Sequence, residues 1–153
     1  MPAIVADAVD AYIVRRVEAR VQVLLFQRRL EVAFGGAWQS VHARIEPGDT
    51  ALRAARRAVT EAIACEPAAA YSADYLNQFY DHERDLIIIA PSIAFVLPGG
   101  VKPTVGNALQ TARWFDYVDA MDRLLWSGQR AAILRLAEIF GRSAEDAALY
   151  RIG

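Results

Sequence analysis

The chain has 153 residues, enough for one domain with a proper core, and its 17 Lys and Arg nearly balance 18 Asp and Glu for a net charge of -1. That balance, without a basic tail or charge run, gives no reason to expect a nucleic-acid partner. The single cysteine, Cys65, excludes a disulfide framework and fits a reducing cytoplasm, where it reads as a small buried hydrophobe.

Met1–Ala11 carries Asp7 and Asp10 and lacks a basic stretch, so it does not read as a signal peptide. Val9–Arg16 and Arg20–Gln27 are rich in β-branched and apolar residues and are expected to form a hairpin across Val17–Ala19. Arg28-Arg29 and a loop through Phe34-Gly35-Gly36 follow. Trp38-Gln39-Ser40-Val41 opens the next strand, in which Ser40, His42 and Arg44 share a face. His42 reads there as a satisfied structural histidine, with a phosphate contact as the other reading.

The stretch Ser40–Glu66 is the most informative. A strand with Val41 and Ile45 runs into Glu46-Pro47-Gly48-Asp49, and a helix capped by Asp49 or Thr50 continues to a stop at Pro67. Leu52, Ala55, Val59 and Ile63 fall on one side of that helix, leaving Arg53, Arg57 and Glu61 on others. Strand, tight turn and helix make a rigid elbow of the kind that aims helix residues at a ligand.

Beyond the helix, a strand is expected around Asp74–Phe79, then a polar loop at Asp81–Asp85 whose acids read as solvated. Leu86–Leu97 reads as a fully buried strand with a break at Pro91 into two pieces as one outcome. It falls short of the ~20 residues of a membrane-spanning helix. A helical turn is predicted over Asp119–Leu125 with Asp119 near its cap, and a last helix over about Gly128–Phe140 puts Ile133, Leu136, Ala137 and Phe140 along one side. Ala144–Ile152 reads as a short helical tail, with Leu149 and Ile152 placed to dock on the body or on a second chain, as in a homodimer. Neither repeats nor linkers interrupt the chain, so residues 1–153 are read as one domain.

Several of these phrases resemble the Nudix hydrolases, whose signature is Gly, five residues, Glu, seven residues, Arg-Glu, an aliphatic, any residue, Glu-Glu, any residue, Gly and an aliphatic. Laid on this chain, the first Gly falls on Ala43, the first Glu on Asp49, the Arg on Arg57, the aliphatic on Val59 and the first Glu of the pair on Glu61. Ala58, Ala62 and Ala64 stand where the signature has Glu, Glu and Gly. Trp38-Gln39-Ser40-Val41 resembles the "WQ-x-V" stretch of the branch containing dATP pyrophosphohydrolases and dihydroneopterin triphosphate pyrophosphatases. Arg113-Trp114-Phe115 and Trp126-Ser127-Gly128-Gln129-Arg130 resemble later phrases of that branch, and Ala108 falls where the branch has a further glutamate. The similarity runs from about Val21 to Phe140.

The resemblance implies an α/β/α fold, a mixed sheet between helices, and water attack on a diphosphate with magnesium or manganese holding phosphate oxygens. It also implies site roles. Glu61 and Arg57 would be catalytic. Glu61, Asp49, Glu46 and the backbone carbonyl of Ala43 would hold metal, and Arg28, Trp38, Gln39 and Arg44 would contact a nucleotide-like substrate. Magnesium usually takes one or two carboxylates besides waters and substrate phosphates. With Ala58, Ala62 and Ala108 at acidic positions, the expected hydrolysis is weak. Two other functions stay open. The fold could bind a nucleotide-like ligand without cleaving it, using Arg57, Arg44 and the amides of the turn. It could also be an interaction module, with Ala54, Ala58 and Ala62 forming a small neutral docking face on the helix.

Overall fold

The computed structural model describes residues 1–98, 102 and 109–153. Its strands are β1 (Ala3–Val5), β2 (Ala8–Val17), β3 (Arg20–Arg28), β4 (Trp38–Gln39), β5 (Val41–Arg44), β6 (Ala69–Asp81), β7 (Leu86–Val96) and β8 (Leu109–Asp116). The helices are α1 (Ala51–Ile63), α2 (Tyr117–Arg123), α3 (Ser127–Gly141) and α4 (Ala144–Ala148). Ala108 and the Pro98-Gly99-Gly100 stop, apart from Pro98, lie outside the described residues.

The expected hairpin forms: β2 and β3 pair antiparallel with Val17 opposite Arg20, and Glu18 turns the corner at a φ of 57°. β8 covers the far edge of β3, and β7 runs parallel to β2. Below Ile13 the two hairpin strands part, and the chain from Trp38 to Arg44 fills the gap. It pairs first with β3, through Trp38 and Gln39, and then with β2, through Val41 to Arg44. Ser40 stands at the handover and is fully buried.

Alternation along β2 divides the interior in two. Val9, Ala11 and Ile13 point to α1, where they meet Leu24, Phe26, Ala55, Val59, Ile63, Phe95 and Leu97. Tyr12 and Val14 point the other way, to Leu25, Phe115, Ile133, Leu136 and Phe140 under α2 and α3. The sheet is thus buried between helices on both faces, the α/β/α arrangement expected.

Four expectations need correction. β6 is longer than expected, Ala69–Asp81, and its pairing with β7 slips between Ser72 and Leu76, where Asp74 adopts a φ of 53°. β7 does not break at Pro91. Pro91 sits beside that slip on one edge and between the β1-paired and β2-paired stretches on the other, so its missing N–H falls where the ladder is already interrupted. β7 is also not buried throughout, since Leu86, Ile87 and Ile89 are partly exposed. Finally, α2 starts at Tyr117 with Asp116 at its cap, placing Asp119 inside the first turn.

After α4 the tail is not helical but bridges to β6 at Tyr71 and Arg151: Ala70 donates its N–H to the Gly153 carbonyl and Ser72 to that of Tyr150, both at 2.8 Å. The tail docks through these bonds and through Ala147 and Tyr150, which pack into the core on the α3 side, while Leu149 remains exposed.

Candidate active site

The elbow is built as its sequence dictates. Ile45 N–H donates to the Asp7 carbonyl at 2.8 Å, tying the end of β5 to the chain before β2. Asp49 N–H then donates to the Glu46 carbonyl at 3.0 Å, closing a turn with Pro47 and Gly48 in its centre. Pro47 presets φ, and Gly48 supplies the φ of 83° that an L side chain resists. Thr50 caps α1, its hydroxyl accepting from Arg53 N–H at 3.2 Å. At the other end Ala64 closes the helix in the left-handed conformation.

Asp49 is the hub of this turn. One carboxylate oxygen accepts from Thr50 N–H at 2.8 Å and Arg53 Nε at 3.0 Å, and the other from Arg57 Nη1 at 2.7 Å. The Arg57 bond, the Thr50 amide and the Arg53 bond, in that order, hold its pKa down to about 2. Arg57 is shifted up in turn, by the Asp49 bond first and more weakly by Glu61 and Glu46. With three N–H donors on its carboxylate, Asp49 anchors two guanidinium groups to the turn.

The remaining residues singled out from the sequence divide into exposed groups and groups engaged within the fold. Glu46 and Glu61 are exposed. Arg44 is 72% exposed with Nε 3.9 Å from Asp7. Ala43 pairs with Val9 and turns its methyl to the α1 core. Arg28 pins the following loop, donating to the Ala33 carbonyl at 2.7 Å and to Gln39 Oε1 at 3.2 Å. Trp38 packs edge-on against Phe115, with ring centroids 5.0 Å apart. Ala58 and Ala62 are partly exposed, but Ala54 is buried in the α1 core, so the expected Ala54, Ala58, Ala62 docking face is not an open surface.

Two features went unread in the sequence. Phe34 and Trp126 meet edge-to-face at 5.6 Å, both rings exposed, joining the loop after β3 to the start of α3. The second is centred on Asp10, a carboxylate only 1% exposed in the middle of β2. His42 Nδ1 lies 2.6 Å from one of its oxygens, and Asn77 Nδ2 donates to the other at 3.0 Å. The Asp10 hydrogen bond raises the His42 pKa, against the opposing effect of burial. Beside Asp10, Tyr12, Ser40 and Ser92 gather their buried hydroxyls. A cleft of about 340 Å³ lies at the β6 slip, lined by Ser72, Tyr75, Leu76 and Pro91 among others, and includes no elbow residue.

Among the described residues no three His, Cys, Asp or Glu converge as a metal cage. What the acids fit is a divalent cation that arrives on substrate phosphates, for which one or two carboxylates suffice. Glu61 and Glu46, the further acids felt by Arg57, are the residues that would meet it. Such an ion would withdraw charge from the phosphoryl oxygens under attack.

The NUDIX domain family matches residues 6–136, so the chain belongs to the Nudix family. No curated protein matches it in sequence. Among solved structures, a Listeria monocytogenes protein assigned as a NUDIX hydrolase superposes with a TM-score of 0.75 at 19% identity, over 88% of this chain and 93% of the other. The Escherichia coli dihydroneopterin triphosphate pyrophosphohydrolase gives 0.67 at 22% identity, over 84% and 94%. A Caenorhabditis elegans Ap4A hydrolase gives 0.69 at 14% identity, over 88% and 96%. At these identities the likeness is one of fold. Nudix hydrolases generally use divalent metals. No helix among the described residues is long and apolar enough to cross a membrane.

Proposed function

We propose that the protein hydrolyses a diphosphate linkage in a nucleotide-like or pterin triphosphate substrate, with magnesium or manganese accompanying the phosphates, and does so slowly. The carrying observation is the intact elbow: Asp49 still locks Arg57 and Arg53 onto the turn, although Ala58 and Ala62 stand where the signature has glutamates. Arg44 and the positive groups of the elbow favour a polyphosphate. The exposed Phe34–Trp126 pair offers a flat heterocycle an aromatic wall. Glu61 is the carboxylate left on the helix for the metal, and Arg57 holds the elbow that presents it.

The reduced acid count supports slow turnover. A positioned carboxylate acting as general base contributes about 10²–10⁴-fold, and two of the signature acids on α1 are alanines. Cleavage of dATP and dihydroneopterin triphosphate, followed as monophosphate and pyrophosphate, and of ADP-ribose, followed as AMP and ribose 5-phosphate, with magnesium or manganese tests the reading. Turnover that disappears in Glu61→Gln is expected. Nucleotide binding seen as thermal stabilisation, with no turnover under any of these conditions, would instead favour a non-catalytic nucleotide-binding module.

A further inference from the structure

The sheet face that carries α1 is covered over only part of its width. The core beneath α1 takes in Ile93, Phe95 and Leu97, all toward the end of β7. Alternation back from Ile93 puts Pro91, Ile89 and Ile87 on the same side, where no helix among the described residues covers them fully. Register extends this strip sideways: Ile87 lies beside Ile4 and Tyr80, Ile89 beside Gln78, and Pro91 beside Leu76, and residues paired across strands project to one face. The cleft of about 340 Å³ opens at its far end, where Ile152 of the tail joins Leu76, Pro91 and Ile93.

The strip has the make-up of the middle of an interface. Ile4, Leu76, Tyr80 and Ile152 are 67%, 60%, 57% and 46% exposed. At roughly 200 Å² for a large side chain, these four leave on the order of 450 Å² of apolar surface uncovered, more than half of the ~800 Å² that each partner buries in a standard interface. Ile87, Ile89 and Pro91 are partly exposed and add to it. A contiguous patch of this size on a monomer commonly marks a binding surface. Among the described residues no charged side chain stands in the paired rows, and Asp81, Glu83, Arg84 and Asp85 gather in the turn at one end, as in a polar rim.

Gln78, exposed in the middle row, decides between occupants. Its amide carries donors and an acceptor on one group, so it can satisfy an identical amide across a two-fold axis, whereas a lipid surface offers it nothing in return. We propose that this face pairs with the same face of a second copy of the chain in a two-fold dimer. The axis lies between the two sheets and crosses the strands at Gln78 and Ile89. β6 then runs over the partner's β6 in the opposite direction, so Gln78 meets its own copy, and Tyr80 meets the partner's Leu76 at the mouth of the cleft. Sheets stacked in this way lie about 10 Å apart, a gap that interleaved Ile, Leu and Tyr side chains fill. The pairing does not depend on the hydrolase reading.

Sedimentation velocity of the full chain over a concentration series tests the pairing. The wild type is expected to approach twice 16.9 kDa as concentration rises. Leu76→Asp and, on β1, Ile4→Asp each bury an unpaired carboxylate in the closed interface, and each should raise the dimer dissociation constant ~10²-fold or more. Both positions are exposed in a single chain, so circular dichroism of either variant should match the wild type, and Ile4→Asp serves if Leu76→Asp fails to fold. In a Cys65→Ser background, a short bismaleimide should join Gln78→Cys copies and leave Glu31→Cys copies, on the loop after β3, unjoined. A dimer that persists in a folded Asp variant overturns the proposal, as does cross-linking that does not favour position 78. A monomer at every concentration overturns it too, and flotation with phosphatidylcholine vesicles, lost in Leu76→Asp, would then assign the face to a lipid surface.

Discussion

Arg57 reaches back along α1 to set its Nη1 2.7 Å from Asp49 Oδ2, while Arg53 takes the other oxygen at 3.0 Å. One carboxylate therefore holds two helical side chains against the turn that precedes them. Asp49 keeps its charge down to about pH 2, whereas in an unfolded chain an aspartate gains its proton near 3.9. Its contribution to stability is complete above the unfolded value and drains away as pH falls through the folded one. Melting temperature measured from pH 5 to pH 2 should fall more steeply for the wild type than for Asp49→Asn, in a window of roughly pH 4 to pH 2. Parallel curves would show that the contact adds no stability.

Gly48 occupies the turn with a φ of 83°, and nothing lies within 4 Å of where a Cβ would stand. Gly48→Ala should cost about 1 kcal/mol in urea unfolding, all of it backbone strain. Gly48→Asn should cost less, because Asn tolerates positive φ.

Gly128 behaves differently. An added methyl group there meets the Asn77 amide, and Asn77 can yield only by leaving Asp10. Gly128→Ala should cost about 1–3 kcal/mol. The penalty should shrink in an Asn77→Ala background, a non-additivity that a double-mutant cycle of unfolding energies would measure.

Phe95 is wholly buried on the α1 side, with the Arg56 guanidinium 5.3 Å from its ring centre. Phe95→Ala should cost about 3–5 kcal/mol by denaturant titration, through lost burial and the cavity left behind.

Ala58 and Ala62 are partly exposed on α1, so glutamates can be placed there without burying charge. If missing acids limit the rate, Ala58→Glu with Ala62→Glu should raise diphosphate hydrolysis by roughly 10²-fold in the presence of magnesium. An unchanged rate would locate the limit elsewhere in the site.

The elbow was legible because its devices are local: Pro47 and Gly48 make the turn, Thr50 caps the helix, and Ala55, Val59 and Ile63 mark the buried side at helical spacing. Asp10 was not legible, since its partners His42 and Asn77 are 32 and 67 residues away and only the sheet brings the three together. A lone acid amid Val9, Ala11 and Tyr12 was the available signal, for a carboxylate is seldom buried without a partner. The uninterrupted β7 was missed for a related reason. Whether Pro91 breaks a strand depends on what its neighbours need from it, and the slip in β6 removes the need.

The handover at Ser40 ties the approach to the elbow to both arms of the fork between β2 and β3. Trp38 travels with one arm and His42 with the other, so any change in the angle of the fork alters the distance between them. A ligand that wedges or relaxes the fork would be sensed at this one residue, and fluorescence of Trp38, with Trp114 and Trp126 replaced by phenylalanine, offers a way to watch it.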